Sequence, residues 1–271
     1  MMLERIGARF TYVGEPFPKR KEKREQTSHL KEWLDTRGIK AVLLDLDDTL
    51  LDTHTLVERQ KDVYKAYLHD RIPTLDPEMI DSAVEQADLD VYATHSVSIG
   101  RWIALGSLVA KRLPGAAPDI CMDGVSLLLA MYATVPDVFP GAYDAVSLFR
   151  DTGTTMGLVT HADPGWTELK LNRTGLGGFF DHIEIIDEHG YKGSDSWAKA
   201  IEALGVKPSE VLVIGDSLSG DIRASREAGV THIVALPSPW VVYRRGDVPE
   251  GVISASGIGA VVETLLKDQK E

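Results

Sequence analysis

The chain has 271 residues, 44% of them hydrophobic and 26% charged, with a formal net charge of -12, enough apolar material for a sizeable core in one large or two modest domains. The negative balance argues against a broad nucleic-acid surface, which needs basic residues to meet a phosphate backbone. The single cysteine, Cys121, excludes an intrachain disulfide and reads as a buried small hydrophobe. No apolar run approaches the ~20 residues of a membrane span, and residues 1–10 lack the charged-then-apolar order of a signal peptide, so a cytoplasmic location is expected.

In chain order, residues 19–24 form a short basic run that reads as a solvated segment. Leu30, Trp33 and Leu34 have helical spacing and predict a helix over residues 28–36. Val42, Leu43 and Leu44 then form a short apolar run, as expected of a buried parallel strand, which ends in Asp45-Leu46-Asp47-Asp48-Thr49. Open α/β sheets place ligands at the carboxyl ends of such strands. Several carboxylates gathered there repel one another, which implies a divalent metal or a shared proton among them. An Asp-rich turn and helix N-cap has the same composition.

Roughly a hundred residues separate this strand from the next apolar strand, far beyond the ~2–6 of a simple strand-to-helix loop. Within residues 55–132 helical spacing recurs, in Leu56, Val63, Tyr64 and Tyr67, in Ile80, Val84 and Ala87, and in Trp102, Leu105, Leu108 and Val109. Pro73, Pro77, Pro114 and Pro118 punctuate the segment. After it the pattern predicts a helix over residues 142–150, a strand over 156–160 ending at Thr160, and a helix to about residue 174. Then come a strand over 183–186, a helix over 197–204 and a strand over 211–215 that runs into Asp216. A helix over 222–228 stopped by Gly229, a final strand over 232–236 and a closing helix over 257–266 complete the chain. Alternating strands and helices predict an α/β fold, a Rossmann-like three-layer core with a parallel sheet and helices on both faces. The eight histidines show no metal-ligand spacing, which leaves oxygen ligands for any metal.

Asp45-Leu46-Asp47-Asp48-Thr49, the strand ending in Thr160, Lys192 and Gly215-Asp216 followed by Asp221 occur in the order of four motifs. With them the chain resembles the haloacid dehalogenase superfamily, in the branch with a helical cap inserted after the first motif. The resemblance spans residues 38–267 and implies an N-terminal extension at 1–38, a core at 39–53 and 137–271, and a cap at 54–136 hinged near 52–54 and 136–141. It implies that Asp45 is a nucleophile forming an aspartyl-phosphate and that Asp47 is a general acid and base. The second Asp favours phosphoryl transfer over dehalogenation, since halide needs no proton to leave. Thr160 and Lys192 would bind phosphate, with Lys170 a reserve for Lys192. Asp45, Asp47, Asp216 and Asp221 would form the Mg²⁺ site, Asp216 directly and Asp221 through water or by orienting the shell.

Two positions depart from the family pattern: His161 stands where Asn often follows the hydroxyl residue, and Gly193 where Pro often follows the Lys. The implied partner is a small phosphorylated metabolite rather than nucleic acid or membrane, and the implied activity is a phosphatase. A phosphomutase or a non-catalytic binding protein on the same fold are the alternatives. Cap residues His95 and Arg101 are candidates for the leaving group but read more readily as surface or helix-pairing residues. Gly215-Asp216-Ser217-Leu218-Ser219 also spells the nucleophile block of the GDSL esterases. That reading lacks its base, because His232 is the only later histidine and has no Asp three residues before it.

Overall fold

Runs of Val, Leu and Ile bounded by polar residues form the strands, and Asp or Gly residues mark the helix ends. The computed structural model describes residues 20–187, 189–240, 244 and 246–268; residues 1–19 of the N-terminal extension, with the first lysine of the basic run, lie outside the described residues. The chain begins with α1 (Arg20–Thr36), β1 (Ala41–Leu44) and β2 (Leu51–Asp52). It continues through α2 (Thr53–Arg71), α3 (Pro77–His95), α4 (Gly100–Arg112), α5 (Pro118–Asp123) and α6 (Val125–Leu129). Then follow β3 (Asp137–Val138), α7 (Ala142–Asp151), β4 (Thr155–His161), α8 (Pro164–Thr174), β5 (His182–Ile186) and α9 (Ser194–Ala203). The last elements are β6 (Val211–Gly215), a π-helical turn (Leu218–Arg223), α10 (Ala224–Glu227), β7 (His232–Ala235), β8 (Ile253–Ser254) and α11 (Val261–Asp268).

Six strands form one sheet in the order β5-β4-β1-β6-β7-β8, every neighbouring pair parallel. Side-chain alternation divides the sheet between two cores. Val42, Leu44, Met156, Leu158, Leu212 and Ile214 face α1, α7 and α11, packing on Trp33, Phe149 and Leu265. Ala41, Leu43, Val159, Val211 and Val213 face α9 and α10, packing on Trp197, Ile201 and Ala224. Burial on both faces explains why these strands read as continuous apolar runs. β1 sits between β4 and β6, so the chain crosses away from it in both directions and its carboxyl end is the switch point of the sheet.

The chain leaves this core at β2 and returns at β3, which pair antiparallel through Leu51 with Val138 and Asp52 with Asp137. Between them, α2 to α6 build a separate core on Leu56, Tyr64, Leu68, Ile80, Trp102 and Leu105, and Tyr64 Oη donates to the carbonyl of buried Cys121 at 2.9 Å. Asp52 and Asp76 cap α2 and α3 by accepting from Thr55 N and Glu78 N.

Three expectations are corrected. Val63 is exposed, because α2 turns it away from the face that holds Tyr64. The strand at β7 is not the last: β8 adds a two-residue edge, too short to show alternation. The helix expected over 222–228 is a π-helical turn beginning at Leu218, followed by only four α-helical residues.

Candidate active site

The carboxyl ends of β1, β4 and β6 converge. Asp45 continues β1, its N–H donating to Ile214 O at 3.0 Å, and Asp216 follows the last residue of β6. The π-helical turn brings Asp221 back against β6, where Ser217 N donates to its Oδ2 at 2.9 Å. Gly215 makes this possible, because a Cβ there would collide with the Asp221 carboxylate. Asp45, Asp216 and Asp221 each bring an oxygen within 4.8 Å of the others. Lys192 Nζ lies 2.5 Å from Asp45 Oδ1 and 2.6 Å from Asp221 Oδ1.

Burial pushes the Asp45 carboxyl up to about 7 against the pull of Lys192, and Asp221 adds to the rise. Burial, then Asp221 and Asp45, raise Asp216 well above the usual carboxylate range. Burial alone would lower Lys192, but Asp221 and Asp45 hold its ammonium above the usual lysine value. The cluster thus has more negative charge than one ammonium offsets. Asp216 Oδ2 and Thr160 Oγ1 are buried without a hydrogen-bond partner among the described residues. An all-oxygen donor set with an orphaned buried carboxylate oxygen fits Mg²⁺, a hard cation that prefers such ligands.

Asp47, expected among the metal ligands, turns its carboxylate elsewhere. Lys170 Nζ lies 2.6 Å from its Oδ1 and 2.7 Å from its Oδ2, and Thr53 Oγ1 donates to Oδ1 at 2.5 Å. Asp48 also departs from the cluster. Its backbone is left-handed, with φ +60°, a conformation that Asp tolerates better than most residues. His54 N and Trp240 Nε1 donate to its two oxygens at 2.9 and 2.5 Å. Burial nevertheless pushes Asp48 up to about 7.

Asp45, Asp47, Asp48, Asp216 and Asp221 line a cleft between the sheet and the α2–α6 segment. Asp45, Asp47, Thr160, Lys192 and Asp216 form its floor, and Tyr92, Arg101 and Trp102 its roof. His161 lines it too, and burial, with Lys192 nearby, keeps its imidazole below the usual pKa. Arg101 is buried rather than on the surface. Its Nε and Nη2 donate to Asp88 Oδ1 at 2.9 and 2.5 Å, which joins α4 to α3 as a helix-pairing residue. His95 instead meets the Thr94 hydroxyl at 2.8 Å. Trp240, from the loop after β7, escaped the sequence reading because no local pattern marks it. The esterase reading finds no support. Ser217 Oγ accepts from Gly220 N at 3.0 Å, and His232 pairs in register with Leu212, at the opposite end of the strands.

A family model described as haloacid dehalogenase-like hydrolase matches residues 39–229, well over half of the chain. The chain belongs to the haloacid dehalogenase-like hydrolases. It is 29% identical over 202 residues to glyceraldehyde 3-phosphate phosphatase of Methanopyrus kandleri, covering 72% of this chain and 83% of that one. It is also 29% identical over 202 residues to phosphoglycolate phosphatase of Thiobacillus denitrificans, covering 70% and 80%. A crystal structure of a haloacid dehalogenase-like family hydrolase from Xanthomonas campestris superposes with a TM-score of 0.68 at 19% identity, covering 85% of this chain and 97% of that one, and shares the fold of this hydrolase.

Proposed function

We propose that this hydrolase is a Mg²⁺-dependent phosphatase that cleaves a small phosphomonoester through an aspartyl-phosphate on Asp45. The observation that carries the reading is the convergence of Asp45, Lys192, the unpartnered Thr160 Oγ1 and the unpartnered Asp216 Oδ2 on one cleft. The similarity to phosphatases of glyceraldehyde 3-phosphate and phosphoglycolate supports a small phosphorylated substrate.

In the first step Asp45 attacks phosphorus, the bond from phosphorus to the leaving oxygen breaks, and Asp47 gives that oxygen a proton. In the second, Asp47 takes a proton from water as it attacks phosphorus, and Asp45 leaves as a carboxylate. Lys192 and Thr160 hold the phosphoryl oxygens, whose charge the acidic cluster alone would repel. Asp45, Asp216 and Asp221 would hold Mg²⁺, which supplies positive charge for the carboxylates and the phosphoryl group. Residues 54–136 act as the cap, hinged at the β2–β3 pair, and exclude water from the covered site.

Phosphate release from a panel of phosphomonoesters, with Mg²⁺ and with EDTA, tests the proposal alongside Asp45→Asn. Expected are Mg²⁺-dependent release and a loss of roughly three orders of magnitude or more in the variant, as for other nucleophile deletions. Turnover retained by folded Asp45→Asn would overturn the mechanism.

A further inference from the structure

A lysine stands behind Asp47, outside the lining of the cleft. Lys170 lies on α8 with no exposed surface, and it does not line the cleft, whereas Lys192 does. Its Nζ meets both oxygens of Asp47, at 2.6 and 2.7 Å. The Trp166 ring, one turn earlier on α8, covers the ammonium at 4.2 Å from its centroid. Trp166 is itself fixed: Nε1 donates to Thr134 O at 2.8 Å, and its ring packs on Tyr132 at 5.0 Å. Burying an ammonium is expensive unless a partner offsets it. Asp47 is that partner in its ionised form, held from its other side by the Thr53 hydroxyl at the first residue of α2.

We propose that Lys170 is a positioning residue for proton transfer, orienting the Asp47 carboxylate and balancing the charge that appears on it as the leaving group departs. The proposal rests on the phosphatase reading above. When the Asp47 O–H bond breaks, the new O–H bond forms on the leaving oxygen, which also takes the electron pair of its bond to phosphorus. Asp47 becomes a carboxylate on the wall of a cleft that it shares with Asp45 and Asp48. In a site that excludes water this charge needs a fixed counterion, and Lys170 is already in place. The same contact keeps the carboxylate aimed for the second step, when it accepts a proton from the attacking water.

Phenyl phosphate and p-nitrophenyl phosphate test this, because they have nearly one shape but differ in how much the leaving oxygen needs a proton. In Lys170→Met and Lys170→Gln, kcat/KM for phenyl phosphate should fall at least tenfold further than for p-nitrophenyl phosphate. Asp47→Asn should show the same bias, and Lys170→Arg should recover much of the phenyl phosphate activity. The glutamine variant carries the measurement if the methionine variant fails to fold. Equal losses on both esters, or no loss on either, in whichever variant folds would reduce Lys170 to a structural residue and overturn the proposal. An unbiased Asp47→Asn would instead remove the role given to Asp47. Wild-type protein that releases phosphate from no ester of the wider panel with Mg²⁺ would remove the phosphatase reading and this proposal with it.

Discussion

Among the described residues, two charge clusters have opposite character. At the carboxyl end of the sheet, Asp45, Asp216 and Asp221 gather together, and Lys192 pairs with Asp45 and Asp221. In the α2–α6 segment, Lys61 meets Glu58, Glu85 and Asp88 at 3.0, 2.8 and 3.3 Å, and Arg101 takes the other oxygen of Asp88. The first cluster strains against its own charge, with Asp45 pushed up to about 7 and Asp216 also raised. In the second, burial opposes the charge of Lys61, yet Asp88, Glu85 and Glu58 push it up to about 12. Glu85 is held below its usual value by Lys61 and Lys65 despite the opposing effect of burial. A matched cluster braces helices against one another. A mismatched one that opens on a cleft is poised to take up a cation and an anionic substrate.

Removing one carboxylate from each cluster should therefore have opposite effects on stability. Asp88→Ala leaves Lys61 and Arg101 buried without their shared partner and should cost about 3–5 kcal/mol, the usual penalty for breaking a buried pair from one side. Asp45→Asn removes a repelling charge while Lys192 keeps Asp221. Without Mg²⁺ near pH 8 it should unfold at the wild-type temperature or above it. Thermal unfolding of both variants checks this, and a marked loss of stability in Asp45→Asn would show that the acidic cluster is balanced after all.

The pH dependence sharpens the same contrast. Asp45 rises from 3.8 to about 7 on folding, so the native state binds the extra proton and metal-free stability falls as pH climbs between those values. Asp48 contributes in the same direction, also reaching about 7. Lys61 has the other sign: its contribution is present throughout the neutral range and fades only above its unfolded value of 10.5, towards about 12. In EDTA the melting temperature should thus drop from about pH 5 to about pH 8. Mg²⁺ should restore more at the higher pH, where the carboxylates are ionised and bind it without first losing protons. A Mg²⁺ effect independent of pH would break the link between the acidic cluster and the metal.

The sheet and its acidic rim were legible because both leave local marks. Strands buried on two faces are unbroken apolar runs, and Asp45, Thr160 and Asp216 each stand directly after or at the end of one. What stayed hidden depends on contacts distant in sequence. Asp47 and Lys170 lie 123 positions apart, and a helix lysine is ordinarily a solvated one. Asp48 and Trp240 are 192 apart, and nothing in the loop after β7 announces that its indole reaches the first motif. Arg101 read as a surface or helix-pairing residue. The helix pairing is present through Asp88, while the second consequence, that the same guanidinium roofs the cleft, follows only from how α3 and α4 sit over the sheet.

The smallest effect is expected at the rim of the matched cluster. Glu58 approaches Lys61 at 3.0 Å, with about a third of its side chain still open to water, and Lys61 retains Glu85 and Asp88 without it. Partly exposed pairs contribute about 1 kcal/mol or less, so Glu58→Gln should lower stability by no more than that, measured by denaturant unfolding. The substitution keeps the shape and removes one charge, as Asp45→Asn does in the sheet, so the two variants compare like changes in unlike settings. A cost above about 2 kcal/mol would mean that Lys61 depends on every one of its partners, and that the matched cluster has no more reserve than the mismatched one.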